Sequence, residues 1–163
     1  MMSTGFFGKL PVAGDFVARG IPAGIRRPLD SWLTTHIAGL AGAAMNWPAG
    51  GVRAVLVLDG KSWLLVIEPG EDSVGRPYPL AACVPLNGAD RAAADRWADA
   101  AAVVLVAALD ARADAAAVQA ALARIPLPDV APHPLVPPLV WWNRSPEGPP
   151  QERLARLALI SSG

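Results

Sequence analysis

The sequence predicts an α/β domain with a mixed, largely antiparallel central sheet and helices packed on its faces, a single unit over residues 1–163. Three observations predict it. Two β-branched and aromatic runs, Val52–Leu58 and Ser62–Glu68, flank "DGK", where Asp-Gly supplies positive φ cheaply and so makes a hairpin. Elsewhere, apolar residues recur at spacings of three and four, the helical period. Short apolar runs bounded by Pro and Gly separate these stretches, and no internal repeat or second domain is visible.

Taken in order, "GFFGKL" from Gly5 reads as a first strand ended by Pro11. Phe6 and Phe7 point to opposite faces of an extended chain, so both faces of the sheet should be covered. Ile25, Leu29, Trp32, Leu33, Ile37 and Leu40 predict a helix over about 23–42. Pro28 is its weak point, since proline suits only a first turn, and the regular helix is expected from near Arg27. After the hairpin, "PGEDSVGRPYP" is a long loop and "LAACVPL" another strand. Asp90 caps a helix to about Asp110, with Trp97, Ala101, Val104, Leu105 and Ala108 on one stripe. Asp114 caps a second helix carrying Val118, Leu122 and Ile125. The proline-rich segment at about 126–138, "PLPDVAPHPLVPP", should be extended. "LVWWN" is a strand, and "ERLARLALIS" is a strand or short helix that periodicity leaves open.

Composition narrows the function classes. Hydrophobic residues make up 53% of the chain, which excludes a wholly disordered protein. Fourteen basic and fourteen acidic residues cancel, with no basic stripe, so nucleic acid and anionic membrane surfaces are poor partners. Cys83 is the only cysteine, which excludes an internal disulfide and argues against a Cys-based zinc site. The N-terminus lacks a basic region followed by an apolar one, and the longest apolar run, Ala100–Leu109, is too short to span a bilayer. The expected location is cytoplasmic, without membrane insertion.

Catalytic signatures are absent. A phosphate-binding loop fails on spacing, with only Phe6 and Phe7 between Gly5 and Gly8, and on chemistry, with Leu10 where Ser or Thr would hold magnesium. Cys83 sits inside an apolar strand pattern, His36 lies one turn after Trp32, and His133 stands among prolines. None belongs to a local signature, "GxSxG" is missing, and no ligand cluster suggests a metal or other cofactor. The expectation is a non-enzymatic protein; the competing reading is a small hydrolase that pairs His36 or His133 with Asp15.

The informative charges lie in two glycine-containing, proline-bounded segments, "KLPVAGDFVARG" and "EDSVGRPYPL". Asp15 can accept backbone hydrogen bonds in a turn, and Arg76 can pair with Asp15 or Asp72. Lys9 and Arg19 have no evident local acceptor and read as partner-facing. Trp32, Trp63 and Trp97 fall on periodic apolar faces and read as core. Trp141 and Trp142 must face opposite sides of a strand. One is core; the other, taken as Trp142, is a candidate interface anchor where no helix covers it. The candidate partner-binding residues are thus Lys9, Asp15, Arg19, Asp72, Arg76 and Trp142.

In order and separation, "GFFGKLPVAGDFVARGIP", "LDSWL", "DSVGRPYPL" and the late "LVWW" resemble the TagF family, also called ImpM, of bacterial type VI secretion. The matching positions are Gly8, Lys9, Leu10, Pro11, Gly14, Asp15 and Phe16, then Asp30 and Trp32, then Asp72, Val74, Gly75, Arg76, Pro79 and Leu80. Arg19 and Pro22 match more loosely, and Pro77 departs from the pattern by separating Arg76 from Tyr78. The resemblance implies a post-translational negative regulator that acts by binding. Its implied partners are a forkhead-associated scaffold protein and, through it, the membrane-bound assembly. No catalytic activity or cofactor is implied.

Overall fold

The computed structural model describes residues 3–43 and 46–161. The chain forms β1 (Gly5–Gly8), β2 (Val17–Arg19), α1 (Ala23–His36), α2 (Ala38–Ala43), β3 (Val52–Leu58) and β4 (Lys61–Glu68). Then follow β5 (Leu80–Pro85), α3 (Arg91–Ala111), α4 (Ala115–Ala123), β6 (Leu139–Trp142) and α5 (Pro150–Ser161). One six-stranded sheet has the order β2-β1-β5-β4-β3-β6, and every pairing in it is antiparallel.

Helices cover both faces of the sheet. Phe6 turns to a core built with α3 and α4, around Trp97, Leu105, Val118 and Leu122. Phe7 turns to a core built with α1, α2 and α5, around Ile25, Leu29, Leu33 and Leu157. The opposed phenylalanines of one strand therefore serve two separate cores, as strand alternation requires. At the other end of the sheet Trp141 joins the first core and Trp142 the second.

The hairpin is tighter than expected. Asp59 (φ 51°) and Gly60 (φ 74°) are its two turn residues, so Leu58 pairs with Lys61 and Lys61 belongs to β4. Asp90 caps α3 by accepting from Ala93 N–H at 2.9 Å, and Asp114 caps α4 by accepting from Ala117 N–H at 2.9 Å.

Two local expectations are corrected and one open choice is decided. α1 begins at Ala23, where the predicted span begins, but its regular turns start there and not near Arg27, so Pro28 lies in its interior and not in its first turn. Pro28 removes the donor that would face Gly24 C=O, but Gly24 is exposed, so water can serve that carbonyl, while Ile25, Leu29 and Leu33 remain buried. The predicted single helix over about 23–42 is interrupted at Ile37 (φ −116°), although Ala41 N–H still reaches Ile37 C=O at 2.8 Å. The last segment is a helix with Pro150 as its first residue and Glu152 in its first turn, both favourable at a helix N-terminus. The three-residue β2 escaped the sequence reading because a run that short carries no period.

Candidate functional site

The sequence segments 9–16 and 69–79 meet in space at the ends of β1 and β5. Gly8 sets the approach: its φ of 144° suits glycine, and a Cβ there would collide with the Pro79 carbonyl. Past β1, Ala13 N–H bonds Leu10 C=O at 3.0 Å, which closes a turn. In the second loop Gly75 (φ 82°) lets its N–H reach Asp72 C=O at 3.0 Å. Ser73 N–H then donates to Ala13 C=O at 2.8 Å and joins the two loops.

Asp72 is the centre of this junction and is 2% exposed. Its Oδ1 accepts from Val74 N–H at 3.1 Å and Arg76 N–H at 3.0 Å. Its Oδ2 accepts from Lys9 Nζ at 3.0 Å and Arg76 Nε at 2.7 Å. Burial opposes the carboxylate, yet the donors from Arg76, Lys9 and Val74 outweigh it and hold the carboxyl well below its usual range. Arg76 also donates from a terminal nitrogen to Gly14 C=O at 3.0 Å, and so touches both loops.

An aromatic group stands beside this ionic centre. Phe16 stacks on Phe7 with ring centroids 5.8 Å apart and meets Tyr78 edge-on at 4.7 Å. Lys9 Nζ lies 5.1 Å from the Phe16 ring centroid. The Tyr78 hydroxyl donates to Asp30 Oδ1 at 2.6 Å and lies 3.2 Å from Thr34 Oγ1, tying the loop to α1. Burial, and then the bond to Asp30, push the Tyr78 phenol well above its ordinary value. What the two loops turn to solvent is Val12, Phe16 and Val74, 45%, 39% and 71% exposed, together with the exposed Asp15, Ser73 and Arg76.

The predicted residues divide on this geometry. Lys9, Asp72 and Arg76 come together. Arg76 pairs with Asp72 and not with Asp15, which is exposed and accepts from Phe16 N–H at 2.8 Å. Lys9, expected to be free, is 8% exposed because its acceptor is contributed by the second loop. Arg19 is exposed and bonds only its neighbour's carbonyl, Ala18 C=O, at 2.9 Å. Trp142, the expected exposed anchor, is 8% exposed: α5 packs over it and Arg153 lies 4.6 Å above its ring.

Phe16, Tyr78, Asp30 and the exposed valines Val12 and Val74 were missed as site residues. A signal for Phe16 was present, since it stands directly after Gly14 and Asp15 in the motif that carries the family resemblance. Cys83 is fully buried, and burial pushes its thiol up to about 12, as a core residue's would be. Neither His36 nor His133 is hydrogen-bonded to Asp15 among the described residues; His36 packs on Trp32 instead, 5.4 Å between ring centroids. No group of three or more His, Cys, Asp or Glu placed to hold a metal occurs among the described residues, nor a helix long and apolar enough to cross a membrane.

Comparison with known proteins agrees with the motif reading. Residues 5–125 match the family model described as the TagF N-terminal domain, type VI secretion system-associated. The crystal structure of PA0076 from Pseudomonas aeruginosa PAO1 superposes with a TM-score of 0.65 and 26% sequence identity, covering 99% of this chain and 79% of that one. No curated protein sequence matches.

Proposed function

Because the chain belongs to the TagF N-terminal domain family, which is associated with type VI secretion, we propose that it is a cytoplasmic, non-enzymatic regulator that restrains the secretion machine by binding. Its partner in this reading is a forkhead-associated scaffold protein, and through it the membrane-bound assembly. Docking occurs through the paired loops. The observation that carries this is the junction at Asp72. A buried carboxylate takes donors from both Lys9 and Arg76, and so fixes two loops that are 63 residues apart in sequence at that bond. Rigid loops lose little entropy on binding. They present Val12, Phe16 and Val74 together with Asp15 and Arg76, apolar side chains among polar ones, which is the anatomy of a protein interface, and Arg19, exposed on the adjoining β2, extends the surface. Lys9 and Asp72 act inside the protein as positioning residues, and the exposed side chains make the contacts.

Calorimetric titration against the scaffold protein of the native host tests this. Phe16→Ala combined with Val74→Asp should weaken binding by at least about tenfold, the effect of losing an interface anchor. Circular dichroism should stay unchanged. Val57→Asp, at a position 57% exposed on β3, should bind as the unmodified protein does. Unchanged affinity in the double variant would overturn loop docking, and no binding by the unmodified chain would overturn the scaffold as partner.

A further inference from the structure

α3 packs one side of itself on the sheet, on the face opposite α1, and its other side is exposed along its middle among the described residues. That outer side carries Arg96, Val103 and Asp110, spaced seven residues apart and therefore on one line of the helix surface. All three are exposed; Val103 is 70% exposed and nearby Val106 43%. Val103 and Ala107 stand between two grooves. One, of about 540 Å³, extends past Val106 towards Gly50 and Asn143. The other, of about 310 Å³, lies between α3 and α4 and is lined by Ala113, Ala117 and Ala121. A ridge beside a groove on a helical surface is the geometry into which another helix packs.

We propose that this face joins two copies of the chain, α3 against α3, antiparallel about a twofold axis passing close to Val103. The charge order selects the occupant. In a twofold contact centred on Val103, each residue beyond it meets the residue equally far before it on the other copy. Asp110 then faces Arg96 of the second copy, and Arg96 faces its Asp110, while Val106 faces Ala100. Neither Arg96 nor Asp110 forms an ion pair within one copy among the described residues, where the ion pairs use other side chains. Asp99, which would face Ala107, already has its charge met by Arg53 at 2.6 Å. A parallel arrangement would set Arg96 against Arg96 and Asp110 against Asp110, so the same charges that favour the antiparallel pair oppose the other one. An unrelated helix would need the reverse charge order at the same spacing; a second copy has it by symmetry. A contact made by one helix of each copy falls at the low end of specific interface sizes, so the dimer should dissociate at roughly ten micromolar. Arg112 at the end of α3 donates to Pro11 C=O of the first loop at 2.8 Å, but the contact centred on Val103 uses none of the loops' exposed residues, so scaffold binding neither requires nor excludes it.

Sedimentation velocity of the full chain from about 1 to about 200 μM, a range that brackets such a constant, tests the proposal. The expected result is a concentration-dependent shift from monomer to dimer. Arg96→Asp alone and Asp110→Arg alone should each raise the dissociation constant about tenfold, since each places two like-charged pairs across the axis. The double variant should return it to near the original value. Val103→Asp should be monomeric throughout, with an unchanged circular dichroism spectrum. A monomer at every concentration, or single reversals that leave dimerisation unaltered, or a double variant that fails to restore it, would overturn the proposal.

Discussion

Asp72 accepts four hydrogen bonds on two oxygens while almost fully buried. Its carboxyl is depressed in the fold, so the stability it contributes is fully present above the unfolded carboxyl value of about 3.9 and is lost as pH falls below that towards the folded value. Asp72→Asn should lower the urea midpoint at pH 7. It should also flatten the fall in that midpoint below about pH 4, because the titrating group is gone. Glu68 has the opposite sign. Burial, only partly offset by the charge of Arg53, raises its carboxyl from 4.5 to about 7, and its Oε1 is buried without a partner. A raised carboxyl leaves the fold most stable below the unfolded value and progressively less so as pH rises to about 7. Glu68→Gln should therefore stabilise the protein at pH 8 by on the order of 3 kcal/mol, the equivalent of that shift, and remove the pH dependence between about 4.5 and 7, both read from urea midpoints. At this scale the sequence disclosed types and hid partners. Arg76 and Asp72 are four residues apart and legible as a pair, whereas the acceptor for Lys9 lies 63 residues away and no local pattern points to it.

Helix ends and the hairpin were legible because their determinants are local. Asp90 and Asp114 occupy N-cap positions where a side-chain oxygen replaces a missing helical acceptor. Removing them should not cost the same. Asp90→Ala should lower stability by about 1 kcal/mol, with the midpoint in urea falling and its slope unchanged. α3 buries eight side chains, including Trp97 and Leu105, so the helix cannot fray without uncovering the first core. α4 buries only Val118 and Leu122, and Asp114→Ala should instead show mainly as faster amide exchange in its first turn. α1 and α5 were harder to read for a physical reason. Propensity disfavours Pro28 in a helix interior, but burial of Ile25, Leu29 and Leu33 outweighs one lost backbone donor. In α5, Leu154 and Leu157 face the second core, a spacing of three that a short segment shares with irregular strand patterns.

Across the whole molecule, two helical layers must be fastened to one sheet, and the fastening of the α3 layer is ionic as well as apolar. Arg53 projects from β3, is fully buried, and reaches α3 through Asp95 at 2.7 Å and Asp99 at 2.6 Å. Asp95 takes two further donors: Trp141 Nε1 of β6 at 2.8 Å on the same oxygen as Arg53, and Arg91 Nε at 2.7 Å on the other. Burial opposes its charge, but the bonds from Trp141, Arg91 and Arg53 prevail and hold its carboxyl below the usual range. One carboxylate thus links the neighbouring strands β3 and β6 to a single turn of α3. Asp95→Ala should cost about 3 kcal/mol, because it leaves a buried guanidinium with a diminished counter-charge and the Trp141 N–H without an acceptor. Arg53→Met combined with Asp95→Leu should recover part of that loss, since it removes the buried guanidinium along with its counter-charge while the Trp141 N–H still lacks its acceptor. Urea denaturation of both variants checks this. If Asp95→Ala were as stable as the unmodified protein, apolar contacts alone would hold α3 to the sheet and the ion cluster would be incidental. Trp141 should report the same event optically. Its indole loses both the Asp95 acceptor and the setting of Arg91, whose guanidinium lies 5.2 Å above the ring, so its fluorescence should change in Asp95→Ala while far-ultraviolet circular dichroism does not.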